Sequence, residues 1–171
     1  MTDAIPLNSF SFENEPCIEI PLIKKGFYPR YKLFLLNLQV EDVSVCMKWG
    51  QNATTVIPTY VTDVTCEANQ KVDGEKEGKR VTNAIAEAID LIGRPLDKDL
   101  RLPTIMEIDI ERSSKGEINM TWTTAFVNGE GAFYQTKGTS HSFYRHINHM
   151  RIFPSSPVMM TGEVQLIGYI K

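Results

Sequence analysis

Apolar and polar positions alternate most regularly between Thr104 and Val127. Met106, Ile108 and Ile110 alternate with Glu107, Asp109 and Glu111. After Ser113-Ser114-Lys115-Gly116, the residues Ile118, Met120, Trp122 and Phe126 alternate with Asn119, Thr121 and Thr123. A period of two on both sides of a Ser/Gly turn predicts an antiparallel hairpin with one buried and one wet face. Asn128-Gly129-Glu130-Gly131 is a second turn, so Ala132–Thr136 is expected as a third strand of a meander.

Other stretches carry weaker versions of this signal. Cys17–Ile23 alternates weakly, and Pro21 restricts it to a sheet edge. Tyr31–Val40 is the strongest single strand, and its run Leu33–Leu36 predicts cover on both faces. Val43–Trp49 continues it or starts a short helix. Val56–Cys66 is rich in β-branched residues and reads as a strand, as does Glu163–Ile170.

One segment has a helical period. Val81, Ile85, Ala88, Ile89 and Ile92 fall on one face, Gly93 suits a left-handed stop, and Pro95 forbids continuation. A second helical face is traced by Phe143, Ile147 and Met150 within His141–Phe153. These elements predict an α+β domain, a mostly antiparallel sheet packed against one or two helices, with a β-sandwich as the alternative. Residues 1–16 read as a flexible arm. Residues 17–171 read as a single globular domain with an exposed, charge-rich loop at 67–80.

A chain of 171 residues, 42% hydrophobic and 23% charged, fits one soluble domain with a sizeable core. The net charge of −3 argues against a surface that is basic throughout. Cys17, Cys46 and Cys66 are odd in number and widely spaced, which reads as reduced thiols. The polar, acidic start reads as lacking a signal peptide, and no apolar run reaches membrane-spanning length.

Motifs for chemistry are scarce. There is no phosphate loop, no dinucleotide fingerprint and no nucleophile elbow. His141, His146 and His149 fall close together, but without a neighbouring thiolate or carboxylate they make a poor zinc set. Glu107, Asp109 and Glu111 form a carboxylate row on a wet face, where nothing raises a pKa for acid–base work. No catalytic residue, metal site or cofactor is assigned.

Charge placement says more. Ile20–Val40 lacks Asp and Glu but holds Lys24, Lys25, Arg30 and Lys32 among Phe27, Tyr28, Tyr31 and Phe34. Gly131–Gly162 is also free of acid and holds Lys137, Arg145 and Arg151 with Tyr144 and other aromatics. Cations among aromatics suit RNA, an anionic membrane surface or an acidic protein partner. Lys24, Lys25, Arg30, Lys32, Lys137, Arg145 and Arg151 are therefore the candidate contacts for membrane, nucleoprotein or RNA. Phe27, Tyr28 and Tyr144 are the candidate partner-contacting aromatics.

The order of elements is an acidic arm, the strand Tyr31–Val40, a charged loop, a helix, the long hairpin and the final strand Val164–Lys171. It resembles the small matrix proteins of negative-strand RNA viruses, nearest to those of plant-infecting rhabdoviruses. The resemblance implies a non-enzymatic structural protein that self-associates and links a nucleoprotein–RNA complex to the inner face of a membrane. It implies a place in the host cytoplasm and the virion, peripheral to that membrane. The family's lysine-rich N-terminal tail and Pro-Pro-x-Tyr motif are absent, so the stretch Lys24–Phe34 would have to make the membrane contact. Two other readings stand beside it. One is a viral RNA-binding accessory protein, a silencing or movement factor. The other is a small enzyme or ligand-binding β-domain with a pocket around His141, His146 and Glu107.

Overall fold

In a computed structural model the described residues are 4–22, 28–51, 60–70, 79–96, 99–115, 117–142, 144 and 146–170, with the backbone course alone for 60–70 and 79–86. Twelve strands follow one another. They are β1 (Ala4–Glu15), β2 (Ile18–Pro21), β3 (Arg30–Gln39), β4 (Val45–Gly50), β5 (Tyr60–Gln70) and β6 (Lys79–Ala86). Then come β7 (Ile89–Asp90), β8 (Leu100–Arg112), β9 (Ile118–Asn128), β10 (Phe133–Ser142), β11 (His149–Pro154) and β12 (Met160–Tyr169). No helix occurs among the described residues. The expected α+β domain is thereby overturned: both layers are sheets.

The pairing is nested. β1 pairs with β12, β2 with β11, β3 with β8 and β4 with β7, all antiparallel. β12 also pairs with β3, and β11 with β4. These contacts gather eight strands into two four-stranded sheets, β1-β12-β3-β8 and β2-β11-β4-β7. First-with-last nesting divided between two sheets is the connectivity of a jelly roll. Two hairpins are added to it. β9–β10 follows β8, β5–β6 follows β4, and they join edge to edge to give an eight-stranded large sheet, β1-β12-β3-β8-β9-β10-β5-β6.

One core lies between the sheets. The large sheet supplies Tyr31, Leu33, Leu35, Met106, Ile108, Ile110, Met120 and Trp122, and the small sheet supplies Ile20, Met47, Trp49, Ile89, Met150 and Ile152. The alternation read in Thr104–Val127 is the inward half of the β8–β9 hairpin. Tyr31–Val40 is corrected in part: only one face of β3 is fully covered, and Phe34 and Leu36 are half-buried on the other.

The expected helix at Val81–Ile92 is instead β6, a bend and β7. Pairing of β6 along β5 claims the backbone of 79–86. Asp90 then turns the chain, because its Oδ1 accepts the amides of Ile92 (3.1 Å) and Gly93 (2.8 Å). A side chain bonded to amides two and three residues ahead closes an Asx-type turn. Gly93 does take a left-handed conformation (φ 77°), but as part of that turn. The second helical face, His141–Phe153, is the end of β10, a connection and β11. Residues 4–15, read as an arm, form the edge strand β1, with Phe12 buried. Of the loop read at 67–80, residues 67–70 and 79–80 belong to β5 and β6, and the rest lies outside the described residues.

Under the added strands the large sheet faces the turn after β7 rather than the small sheet. Trp122 Nε1 donates to the Leu91 carbonyl (3.0 Å), and Thr124 Oγ1 donates to the same oxygen (2.9 Å). Thr136 Oγ1 donates to the Ile92 carbonyl. Arg94 lies 3.8 Å from the centre of the Tyr134 ring, which stacks on Phe126 at 5.0 Å. Gly138 is required here: a Cβ at this position would stand 2.0 Å from the Trp122 ring.

Candidate functional site

The outer face of the large sheet has two characters. Where β3 meets β8, charges pair across the ladder. Arg30 lies 3.0 Å from Asp109, and Lys32 Nζ lies 2.5 Å from Glu107. The hydrogen bond to Glu107 is the largest influence on Lys32 and raises its pKa above the ordinary lysine value, as Asp109 does for Arg30. Arg30 also lies over Tyr169, and Lys32 over Phe34. On the small sheet, both Nε and a terminal nitrogen of Arg151 bond Glu19 Oε1, at 3.2 and 2.6 Å. Three of the sequence-selected cations are thus neutralised by carboxylates from distant strands. Lys137 is exposed on β10, opposite Thr123. Lys24, Lys25, Arg145 and Phe27 lie outside the described residues. Tyr28 is half-buried, edge-on to Tyr31 at 5.9 Å and packed on the core, whereas Tyr144 is exposed. Among the described members, Arg30, Lys32 and Lys137 lie on the large sheet and Arg151 on the small one, so they do not share one surface.

Toward the other end of the same face a row of apolar side chains crosses three strands. Leu102 stands opposite Val127, and Val127 opposite Phe133, in one row crossing β8, β9 and β10. Ile105 and Ala125 form the next row. Leu102 is 59% exposed, Ile105 53% and Phe133 36%. Contiguous apolar side chains in water mark a contact surface more often than isolated ones do. Composition alone does not reveal this row. Leu102 lies between two bulges in β8, which take it out of the inward phase of Thr104 and Met106, whereas Ile105 faces outward in the same alternation as Glu107 and Asp109.

The same end opens into a groove of about 840 Å³. Its lining combines the polar Asn14, Asn37, Gln39, Glu41 and Asp99 with the apolar Val40, Leu100, Val158 and Met159. Its origin is local. β1 slips register between Phe12 and Glu15, β3 between Leu35 and Leu38, β12 between Thr161 and Glu163, and β8 twice before Ile105. The extra residues fall in β1, β3 and twice in β8, with β12 as the regular partner of the first two, and the groove lies at these irregularities. Asn14 and Asn37 take left-handed conformations (φ 50° and 52°), which asparagine tolerates better than most residues. Thr161 Oγ1 accepts the Asn14 amide (3.2 Å), and the Asn37 amide donates to Glu163 (3.1 Å), which fixes the rim.

The histidines are dispersed. His141 on β10 bonds Asn119 (3.2 Å), His146 lies in the connection with φ 61°, and His149 is buried on β11 of the other sheet. Burial lowers the His149 pKa, Glu19 at 3.9 Å opposes that shift, and Arg151 adds to it. Among the described residues, no three His, Cys, Asp or Glu side chains group to hold a metal. Glu107 and His141 lie in different ladder rows of the outer face. Cys17 and Cys46 are free thiols, and burial pushes Cys46 up to about 12. No helix of the described residues is long and apolar enough to cross a membrane. No protein family, curated protein or solved structure matches the chain.

Proposed function

We propose that this is a non-enzymatic structural protein, matrix-like in the viral sense, that self-associates through the apolar end of its large sheet. The observation that carries this reading is the row Leu102–Val127–Phe133, with Ile105 beside it, standing in water on a rigid sheet. The jelly roll is compatible with it but does not select it, since capsid, lectin and enzyme domains share that framework. The reading includes contact with nucleoprotein–RNA and an anionic membrane. Lys137, Lys24, Lys25 and Arg145 would make it, since Arg30, Lys32 and Arg151 are paired within the chain.

Sedimentation velocity across protein concentration tests the proposal. The wild type is expected to grow in mass with concentration. The double variant Leu102→Glu/Phe133→Glu, which places charge in the apolar row, is expected to stay monomeric while keeping its thermal transition. A wild type that stays monomeric at the highest concentration sinks the proposal.

A further inference from the structure

We propose that the groove at the bulged end of the sandwich binds a basic peptide segment of a partner protein. A lysine or arginine stem would rest on Leu100, Val158 and Met159, with its cationic head toward Glu41 and Asp99.

The lining chooses the chemistry. Among the described residues, the ionisable side chains of the groove are two carboxylates, and no cation lines it. An anionic ligand such as a phosphate or a nucleic acid would meet two like charges there and no compensating cation among the described residues. None of the lining side chains is aromatic, so a sugar would find no ring to stack against. Apolar lining beside carboxylates and amides matches a side chain that is aliphatic along its stem and charged at its tip. Lysine and arginine are the two residues of that form. The amides of Asn14, Asn37 and Gln39 add donors and acceptors for a peptide backbone. The volume falls within the ordinary range of ligand sites, roughly 300–1,000 Å³. Glu41 and Asp99 are exposed and make no ion pair among the described residues.

The site is separate from the apolar row of the preceding section, and the experiment keeps the two apart. Binding of the blocked peptide Gly-Lys-Gly-Lys-Gly is followed by calorimetry, beside Gly-Glu-Gly-Glu-Gly and spermine. Saturable one-to-one binding of the lysine peptide is expected. It should weaken about tenfold or more in Glu41→Gln/Asp99→Asn, through loss of two charge contacts. It should also weaken when salt rises from about 20 to about 200 mM. Glu111→Gln, at the opposite end of β8 from the groove, should leave it unchanged. Three results would each overturn the proposal: no saturable binding, equal binding of the glutamate peptide, or unaltered affinity in Glu41→Gln/Asp99→Asn. Spermine binding as tightly as the peptide would overturn the peptide assignment in favour of a free polyamine.

Discussion

The large sheet is two half-sheets with different solutions to the same burial problem. Strands β1, β12, β3 and β8 lie over the small sheet and close an apolar core with it. Of the added strands, β9 and β10 lie over the turn that follows β7, tied to it by side-chain hydrogen bonds to the carbonyls of Leu91 and Ile92. Outside, the first half is laced with ion pairs, whereas β9 and β10 carry threonines and share the apolar row with the end of β8. A sheet covered by a sheet needs only shape and volume. A sheet covered by a turn must also satisfy the polar backbone of that turn, because a buried carbonyl without a donor is costly.

Substitutions can break or sharpen this contrast. The largest effect is expected at Gly138. Gly138→Ala drives a methyl group into the Trp122 ring, which is itself anchored to Leu91. Overpacking of this kind should cost about 3 kcal/mol or more, read from urea denaturation. Gly138→Ala with unchanged stability would mean that the added strands are loosely held.

Next come two threonines on the inner face. Thr136→Val removes the donor to the Ile92 carbonyl at nearly constant volume and should cost about 1–3 kcal/mol. Thr104, on β8, is equally buried, but its hydroxyl has no hydrogen-bond partner among the described residues. Thr104→Val should therefore be neutral or stabilising, by up to about 1 kcal/mol. The same chemical change is expected to carry opposite signs in the two halves. Equal costs in paired denaturation curves would erase the distinction drawn between them.

The smallest effect belongs to the outer ion pairs. Lys32→Gln should shift stability by no more than about 0.5 kcal/mol, because a part-exposed pair is screened by water and salt. A loss several times larger would make the charged half a structural network.

How far the sequence foretells this depends on what pins each strand. The β8–β9 hairpin is legible because one face is buried over a long, regular run. β1 is not, because the bulge between Pro6 and Asn8 breaks the phase: Ile5 and Leu7 belong to one alternation, Phe10 and Phe12 to the other. Val81–Ile92 shows a helical period by coincidence, and its pairing along β5 and the Asp90 turn are tertiary facts. The basic zones look unopposed along the chain only because their partners come from elsewhere. Arg30 meets Asp109 from 79 residues away, and Arg151 meets Glu19 from 132. The groove is the least legible feature, since separate bulges in β1, β3 and β8 must meet to make it.

The nested pairing also sets a timetable. Ala4 pairs with Tyr169, and nearly every other strand must be made before the first can find its place. At roughly 5–20 residues per second, β1 leaves the ribosome about ten to thirty seconds before its partner exists. Through that interval it is a bare strand with phenylalanines showing, open to any neighbouring chain with a matching edge. Refolding should therefore be slow, and aggregation should compete with it most strongly before β12 docks.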